Sequence, residues 1–218
     1  MLIFTYSVNK FILMLIWRKI VKEIVVDDKQ TLKKQRVKAY FHNATKEMII
    51  IEGIESISIR KVAEKAGYSY TTLYNYFKDI NELLWEVKLL MINDLVELKK
   101  DIVENENIKD GLKSLFGTYI RYFFEYPNIF KFFYFHKVTQ PTKNDDDRKT
   151  EPNYEAMMMS VLNGFVLEGI LKDKDIEVVG KTLIYSVHGL LTLYFSGNGD
   201  ITEKSVYNDL NRIIDYLL

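Results

Sequence analysis

Five polar side chains close to residue 74 recur at the spacing of a single helical face. They are separated by three or four residues, so a helix through this stretch would bring them together: Tyr70, Thr71, Tyr74, Asn75 and Lys78. Each can donate a hydrogen bond, none is acidic, and the last is a cation. A helix with such a face has the donors and the positive end that suit the major groove of a DNA duplex.

Two short helices joined by a glycine would position this face. Ser58 can cap the first, predicted to reach Ala66, and Ser69 can cap the second, predicted to reach Phe77, because a serine hydroxyl accepts a free N–H of the first turn. Gly67 lies between them, where the chain needs a positive φ. The inner sides are apolar, with Ile59, Val62 and Ala63 on the first helix and Leu73 and Phe77 on the second. This is the pattern of a helix-turn-helix.

Composition excludes several classes of function. The chain has 218 residues and no Cys, so disulfides, thiolate metal sites and a Cys nucleophile are absent. A chain without Cys also fits a reducing compartment, and we expect it to be cytoplasmic. The three His are scattered, and the sequence has no G-x-S-x-G, no H-E-x-x-H and no phosphate-cradling glycine loop. We therefore expect no catalytic site, no metal and no cofactor.

The charges are distributed unevenly along the chain although the net charge is zero. Residues 29–78 carry ten Lys and Arg against four Asp and Glu, while residues 79–218 carry sixteen against twenty-three. Such asymmetry indicates that the basic part meets an anionic partner. The alternative is chance clustering of charges on a solvated face.

The rest of the chain predicts an all-α fold. Gly and Pro are few, at ten and three, and apolar residues recur at three- and four-residue spacing without sustained alternation. The pattern indicates about nine helices, at 33–51, 58–66, 69–77, 81–101, 109–125, 128–138, 154–172, 175–196 and 202–218. A polar loop covers 140–152. Its acidic triplet, residues 145–147, lacks the Gly and distal Glu of a calcium loop.

The first 26 residues are unusually apolar, but Lys10 interrupts them and a charged pair follows at Arg18 and Lys19. A membrane span needs a longer uncharged stretch, and no signal-peptide cleavage site follows the core. Three interpretations stay open: an amphipathic helix on the protein or on a membrane surface, a weak membrane anchor, or an upstream extension of the reading frame.

Residues 35–95 resemble the DNA-binding domain of TetR-family transcriptional regulators. The resemblance rests on Glu52-Gly53, on the run from Ser58 to Gly67, on the run from Ser69 to Lys78, and on Glu82-Leu83-Leu84. It implies three regions: an N-terminal extension over residues 1–30, a helix-turn-helix domain over 31–80, and a helical ligand-sensing and dimerisation domain over 81–218.

The resemblance also implies roles for individual residues. Arg60 would reach a base, as would Tyr70, Thr71 and Thr72 at the start of the second short helix. Tyr74, Tyr76 and Lys78 would contact phosphates, and Ser58 and Ser69 would combine capping with nearby phosphate contact. For Tyr74 and Tyr76 the alternative is half-buried packing. The candidate DNA-binding residues are Ser58, Arg60, Ser69, Tyr70, Thr71, Thr72, Tyr74, Asn75, Tyr76 and Lys78.

TetR-like proteins enclose a ligand among their C-terminal helices and pair through the last two. By this resemblance we expect a homodimer on a palindromic operator in double-stranded DNA and a small apolar or aromatic ligand, with the long helix from Asn81 as the lever between them. The candidate ligand residues are Tyr119, Tyr122, Phe123, Tyr126, Phe130, Tyr134, Met158, Phe165, Tyr185 and His188. The candidate dimer residues are Ile184, Leu191, Phe195, Ile213, Tyr216 and Leu217.

A repressor that the ligand releases from DNA is the interpretation that this resemblance favours. Two alternatives remain at the level of the sequence: a membrane-associated regulator anchored by residues 1–26, and an all-helical enzyme.

Overall fold

The computed structural model describes residues 29–97, 107–141, 154–197 and 199–218, with side chains described except at 29–31, 96–97 and 154–160. The apolar segment 1–26, most of the polar loop 140–152 and the side chain of Met158 lie outside these residues. The chain divides into two units, residues 1–39 and residues 40–218, of which the second is the larger. The described part of the first unit is the beginning of a helix that continues into the second.

All regular elements in the described ranges are helical, which confirms the predicted all-α fold. Nine α-helices follow one another there: α1 Lys29–Glu52, α2 Ile59–Lys65, α3 Tyr70–Tyr74, α4 Ile80–Glu97, α5 Ile108–Glu125, α6 Pro127–Tyr134, α7 Tyr154–Leu167, α8 Ile176–Ser196 and α9 Glu203–Leu217. Short 3-10 turns at Ile54–Ser56 and Asp173–Asp175 precede α2 and α8. Helices α8 and α9 pack together, α7 packs on α8, and α5 contacts α6, α7, α8 and α9.

Three helices end earlier than the spacing predicts. Helix α3 stops at Tyr74, where the N–H groups of Asn75 and Tyr76 donate to the carbonyls three residues back, of Thr72 and Leu73, and tighten the last turn. Helix α7 stops at Leu167 because Gly169 has a φ of 74° and the next N–H, of Ile170, donates back to Phe165.

Helix α6 ends at Tyr134 rather than at Val138 because the chain after it pairs with a distant side chain. The backbone N–H of Thr139 donates to Asn81 Oδ1 at 3.0 Å, and Asn81 Nδ2 donates to the Thr139 carbonyl at 2.6 Å. These two hydrogen bonds hold residue 139 against the start of α4 in place of a further helical turn.

Several large apolar residues of α1 and α4 are exposed. They include Tyr40 and Ile51 on α1 and Leu90 on α4. Their neighbours fill the core, since Phe41, Ile49 and Met91 are fully buried. Ala44 and Met48 on α1 and Val87 and Leu95 on α4 are buried as well, so the apolar spacing of each helix follows its buried side.

Helix α8 is apolar on more than its buried side. The segment Asp173–Ser196 is the one stretch of the described residues long and apolar enough to cross a membrane, judged by length and composition alone. Its buried side chains, including Val179, Leu183 and Val187, pack within the helical core. A second set of apolar side chains on the same helix is exposed.

Candidate DNA-binding surface and sensor cluster

Helices α2 and α3 begin and meet as their sequence predicts. Ser58 Oγ accepts the N–H of Lys61, and Ser69 Oγ accepts the N–H of Thr72 at 3.1 Å. Between the helices Gly67 has a φ of 76°. Its N–H donates to Glu64, and the N–H of Tyr68 donates to Ala63, which satisfies the last carbonyls of α2. The predicted caps and the positive φ are confirmed.

The inner faces of the two helices form a small apolar core. Val62 and Leu73 are fully buried, and Ala63 and Phe77 are almost so. Phe41 of α1 packs edge-on against Phe77, with ring centroids 6.0 Å apart. Ile59, also predicted to point inward, is only half-buried. This core fixes the orientation of α3 because Leu73 within the helix and Phe77 just after its end are both buried.

The outer face of α3 is accessible, as the helical spacing predicts. Tyr70 is 54% exposed and Tyr74 is 50% exposed. Thr71, Asn75 and Lys78 are exposed as well. Hydroxyl groups on α3 and, just beyond its end, an amide and an ammonium are therefore exposed to solvent.

The remaining candidate DNA-binding residues lie around this face. Ser58, Arg60 and Ser69 are exposed, while Thr72 and Tyr76 are half-buried. The Tyr76 ring lies 6.0 Å from that of Phe41, so packing is part of its role. Thr72 Oγ1 forms a hydrogen bond with Ser69 Oγ, at 2.8 Å.

Two acidic residues of α4 to which the sequence assigned no role bind neighbouring parts of the chain. Glu82 Oε2 accepts the backbone N–H of Lys78 at 2.7 Å. One turn further along α4, Glu86 pairs with His42 Nε2 of α1 at 3.0 Å, and both side chains are largely buried. The signal for them was their spacing of four residues on one helix, which places both on the side that packs against the rest of the domain.

Three of the predicted ligand residues come together among the C-terminal helices. Tyr119 of α5 forms hydrogen bonds with the hydroxyl of Tyr134 of α6 and, at 2.7 Å, with Nε2 of His188 of α8. The rings of Tyr134 and His188 are 4.5 Å apart. We call these three residues the sensor cluster. Burial lowers the pKa of His188 to about 4, so its imidazole is neutral at pH 7.

The other predicted ligand residues fall into three groups. Phe123, Phe130 and Phe165 are fully buried and Tyr122 nearly so, and burial raises the pKa of Tyr122 well above its usual value. Tyr126 is half-buried and donates its hydroxyl hydrogen to Glu125. Tyr185 is 67% exposed and lies on the outer side of α8, and its role as a ligand contact stays a prediction.

The predicted dimer residues differ in how far they are exposed. Tyr216 is 89% exposed, and Ile184, Ile213 and Leu217 are half-buried. Phe195 packs within the chain against Phe130, with centroids 5.1 Å apart. Leu191 is fully buried within the chain, and its role at an interface stays a prediction.

Comparison with known proteins identifies the class. Residues 42–87 match the family model described as bacterial regulatory proteins, tetR family. A relative, the HTH-type transcriptional regulator Rv0681 of Mycobacterium tuberculosis, is 22% identical over 162 residues, which cover 73% of this chain and 71% of the relative.

Solved structures share the fold. A TetR-family regulator from a Rhodococcus species superimposes with a TM-score of 0.63 at 18% identity, covering 84% of this chain and 98% of that one. RolR, in complex with resorcinol, gives 0.62 at 14% identity, covering 84% and 89%.

The capped helix pair with its exposed polar face defines a helix-turn-helix, DNA-binding regulator of transcription. Over residues 42–87 and in its helical fold, the chain is similar to TetR-family transcriptional regulators.

Proposed function

We propose that this regulator is a cytoplasmic repressor that binds a palindromic operator as a dimer and leaves it when a small apolar or aromatic ligand binds. In this proposal residues 31–80 read the DNA and residues 81–218 sense the ligand and pair with a second subunit. The observation that carries it is the accessible, acid-free face of α3. No catalytic activity is proposed, since the relatives are regulators.

The proposed contacts with DNA follow from side-chain chemistry and exposure. Arg60 can pair with both acceptors of a guanine edge, and Thr71 offers a methyl group to thymine and a hydroxyl to other bases. Tyr74 and Lys78, exposed at the end of the same face, would contact phosphates and so fix the register.

Dimerisation is supported by exposed apolar residues on the last two helices. Val178, Tyr185 and Leu193 lie on the outer side of α8, and Tyr216 lies on α9. Several exposed large apolar residues on two helices that pack together are typical of an interaction surface. One short recognition helix reads only a few base pairs, whereas two related by a dyad reach half-sites about 34 Å apart or a multiple of it.

The sensor cluster supports the proposed ligand. A ligand with a hydroxyl or carbonyl group could replace one of the hydrogen bonds among Tyr119, Tyr134 and His188, while the surrounding phenylalanines contact its apolar body. RolR, which shares the fold, holds the aromatic diol resorcinol. A ligand that favours the wrong spacing of the recognition helices would weaken DNA binding, typically by about 1–3 kcal/mol.

Selection of bound sequences from random duplex DNA by the purified protein tests the proposal. We expect a palindromic consensus, which would give both the operator and the symmetry of the dimer. Enrichment of no sequence, or of an unrepeated one, would contradict the dimeric operator complex.

Repeating the selection with Arg60→Ala tests the proposed base contact. We expect the base preference at one operator position to relax and the binding free energy for the selected DNA site to weaken by about 1–3 kcal/mol. The matched control is Arg121→Ala, an exposed arginine on α5, outside the two helices proposed to pair. An equal loss on all sequences would show that Arg60 does not read a base.

A further inference from the structure

A cleft of about 350 Å³ opens beside the sensor cluster without including any of its residues. One wall is the chain from the end of α1 through the 3-10 turn, with Glu52 and Glu55. The opposite walls come from α6 and the end of α8, with Lys131 and Phe195. The volume is within the range of small-molecule sites, and three separate elements converge on it.

Two aromatic rings form the apolar side of the cleft. Phe135, directly after α6, is 61% exposed although it is a large apolar side chain. Its ring and that of Phe195 both pack against the fully buried Phe130, at centroid distances of 5.7 and 5.1 Å. The buried ring therefore packs against both cleft-facing rings, and they offer aromatic faces and edges to a flat molecule.

Charged groups form the polar side. Glu52, Glu55 and Lys131 are exposed side chains that line the cleft, and in the described part of the chain none of the three forms an ion pair. Two carboxylates against one ammonium leave the cleft with a negative balance. Negative charge beside aromatic rings is the combination that attracts an organic cation, through ion pairing and cation–π contact.

We propose that this cleft is a second effector site, distinct from the sensor cluster, which binds a small organic cation with a flat aromatic body. The ammonium group pairs with Glu52 and Glu55, and the aromatic body packs on Phe135 and Phe195. A neutral molecule of the same shape loses the ion pairs, and an anion meets the two carboxylates.

A hydrogen bond beside the cleft links α1, in the proposed DNA-binding region, with α6, in the proposed ligand-sensing region. Asn128, also in the cleft, donates from Nδ2 to the carbonyl of Ile50 in the last turn of α1, at 3.0 Å. Gly53 follows with a φ of 87°, and a Cβ there would lie 3.6 Å from Asn128 Oδ1. A molecule that bridges the 3-10 turn and α6 therefore stabilises one arrangement of α1 relative to α6. Because such coupling is reciprocal, its binding and operator binding change each other by the same factor.

Calorimetric titration of the full chain with three matched probes tests the site. The probes are 2-phenylethylamine, 2-phenylethanol and phenylacetate, which share an aromatic body and differ in charge. We expect the amine to bind at least about tenfold more tightly than the alcohol, and phenylacetate to bind more weakly still. Equal affinity of amine and alcohol, preference for phenylacetate, or no heat from any probe at about 10 mM would each overturn the proposal.

The variant E52Q/E55Q assigns the binding to this cleft. Both side chains are exposed, so the change removes the charges without disturbing the core. We expect amine affinity to fall about tenfold, to the level of the alcohol, while Glu168→Gln, an exposed glutamate after α7, leaves it unchanged. Unchanged amine affinity in the double variant would place the binding elsewhere and refute the site.

A last titration tests the effector role. Operator affinity measured with and without saturating amine should differ, and amine affinity should differ by the same factor with and without operator. An operator affinity that the amine leaves unchanged would refute the effector role. The probe titrations need no DNA, so their outcome does not depend on whether the proposed operator exists.

Discussion

Gly67 offers a clean test of how the recognition helix is positioned. Its φ of 76° lies in the left-handed region, and a Cβ built there meets nothing within 4 Å. Replacing it by alanine therefore costs backbone strain alone, about 1–2 kcal/mol. Part of this cost is offset because alanine restricts the unfolded chain, by about 0.4–1 kcal/mol. We expect Gly67→Ala to lower the free energy of unfolding by about 1 kcal/mol.

Alanine at a second glycine, Gly111, should change the free energy of unfolding in the opposite direction. Gly111 lies within α5 at a helical position, and a Cβ there also meets nothing within 4 Å. Gly111→Ala should raise the free energy of unfolding by about 0.5–1 kcal/mol, because glycine weakens a helix interior. Gly67→Asn should cost less than Gly67→Ala, since asparagine visits the left-handed region more readily.

Urea unfolding followed by circular dichroism, at one fixed protein concentration, measures all three variants. We expect the free energy of unfolding to fall in Gly67→Ala and to rise in Gly111→Ala. A neutral or stabilised Gly67→Ala would show that the turn does not depend on a positive φ, and the description of the α2–α3 junction would be wrong.

Three further predictions concern the DNA-facing surface, the core beneath it and the sensor cluster. Lys78→Ala should weaken binding to all DNA sequences alike and reduce the slope of log affinity against log salt concentration by about one phosphate contact. Lys172→Ala should leave this slope unchanged. An unaltered slope for Lys78→Ala would show that Lys78 does not contact a phosphate. Leu73→Ala should lower the free energy of unfolding by about 2–5 kcal/mol, because Leu73 is fully buried; a loss under about 1 kcal/mol in urea unfolding would contradict that packing. The lowered pKa of His188 should make stability fall as pH drops from about 6.5 to about 4, by about 2–3 kcal/mol, because the unfolded chain binds a proton there that the folded one does not. His188→Gln should remove that part of the pH dependence, and an identical stability profile in the variant would refute it.

The helix-turn-helix was predictable because its signals are local. A serine cap, a glycine with positive φ and a buried pair four residues apart each act within one or two turns, so Ser69, Gly67 and Leu73 could be placed from the sequence. The exposed face of α3 then followed from the geometry of a helix.

What could not be predicted depends on contacts between distant residues. The end of α6 is set by Asn81, 58 residues from Thr139. On α8 the apolar pattern cannot distinguish the core from a second interface, because both sides are apolar; Leu191 is fully buried and Tyr185 is exposed. The meeting of Tyr119 with His188 likewise needed the packing of α5 on α8, although both had been selected as ligand candidates.

The central claim is that the exposed face of α3 binds duplex DNA. Fluorescence anisotropy of a selected duplex with Tyr74→Glu measures it most directly, because Tyr74 is exposed and an added carboxylate there would face the phosphates without disturbing the core. We predict at least a tenfold loss of affinity, or about 1.4 kcal/mol, and no change for Leu167→Glu, an exposed apolar residue at the end of α7. Full affinity in Tyr74→Glu would contradict the claim.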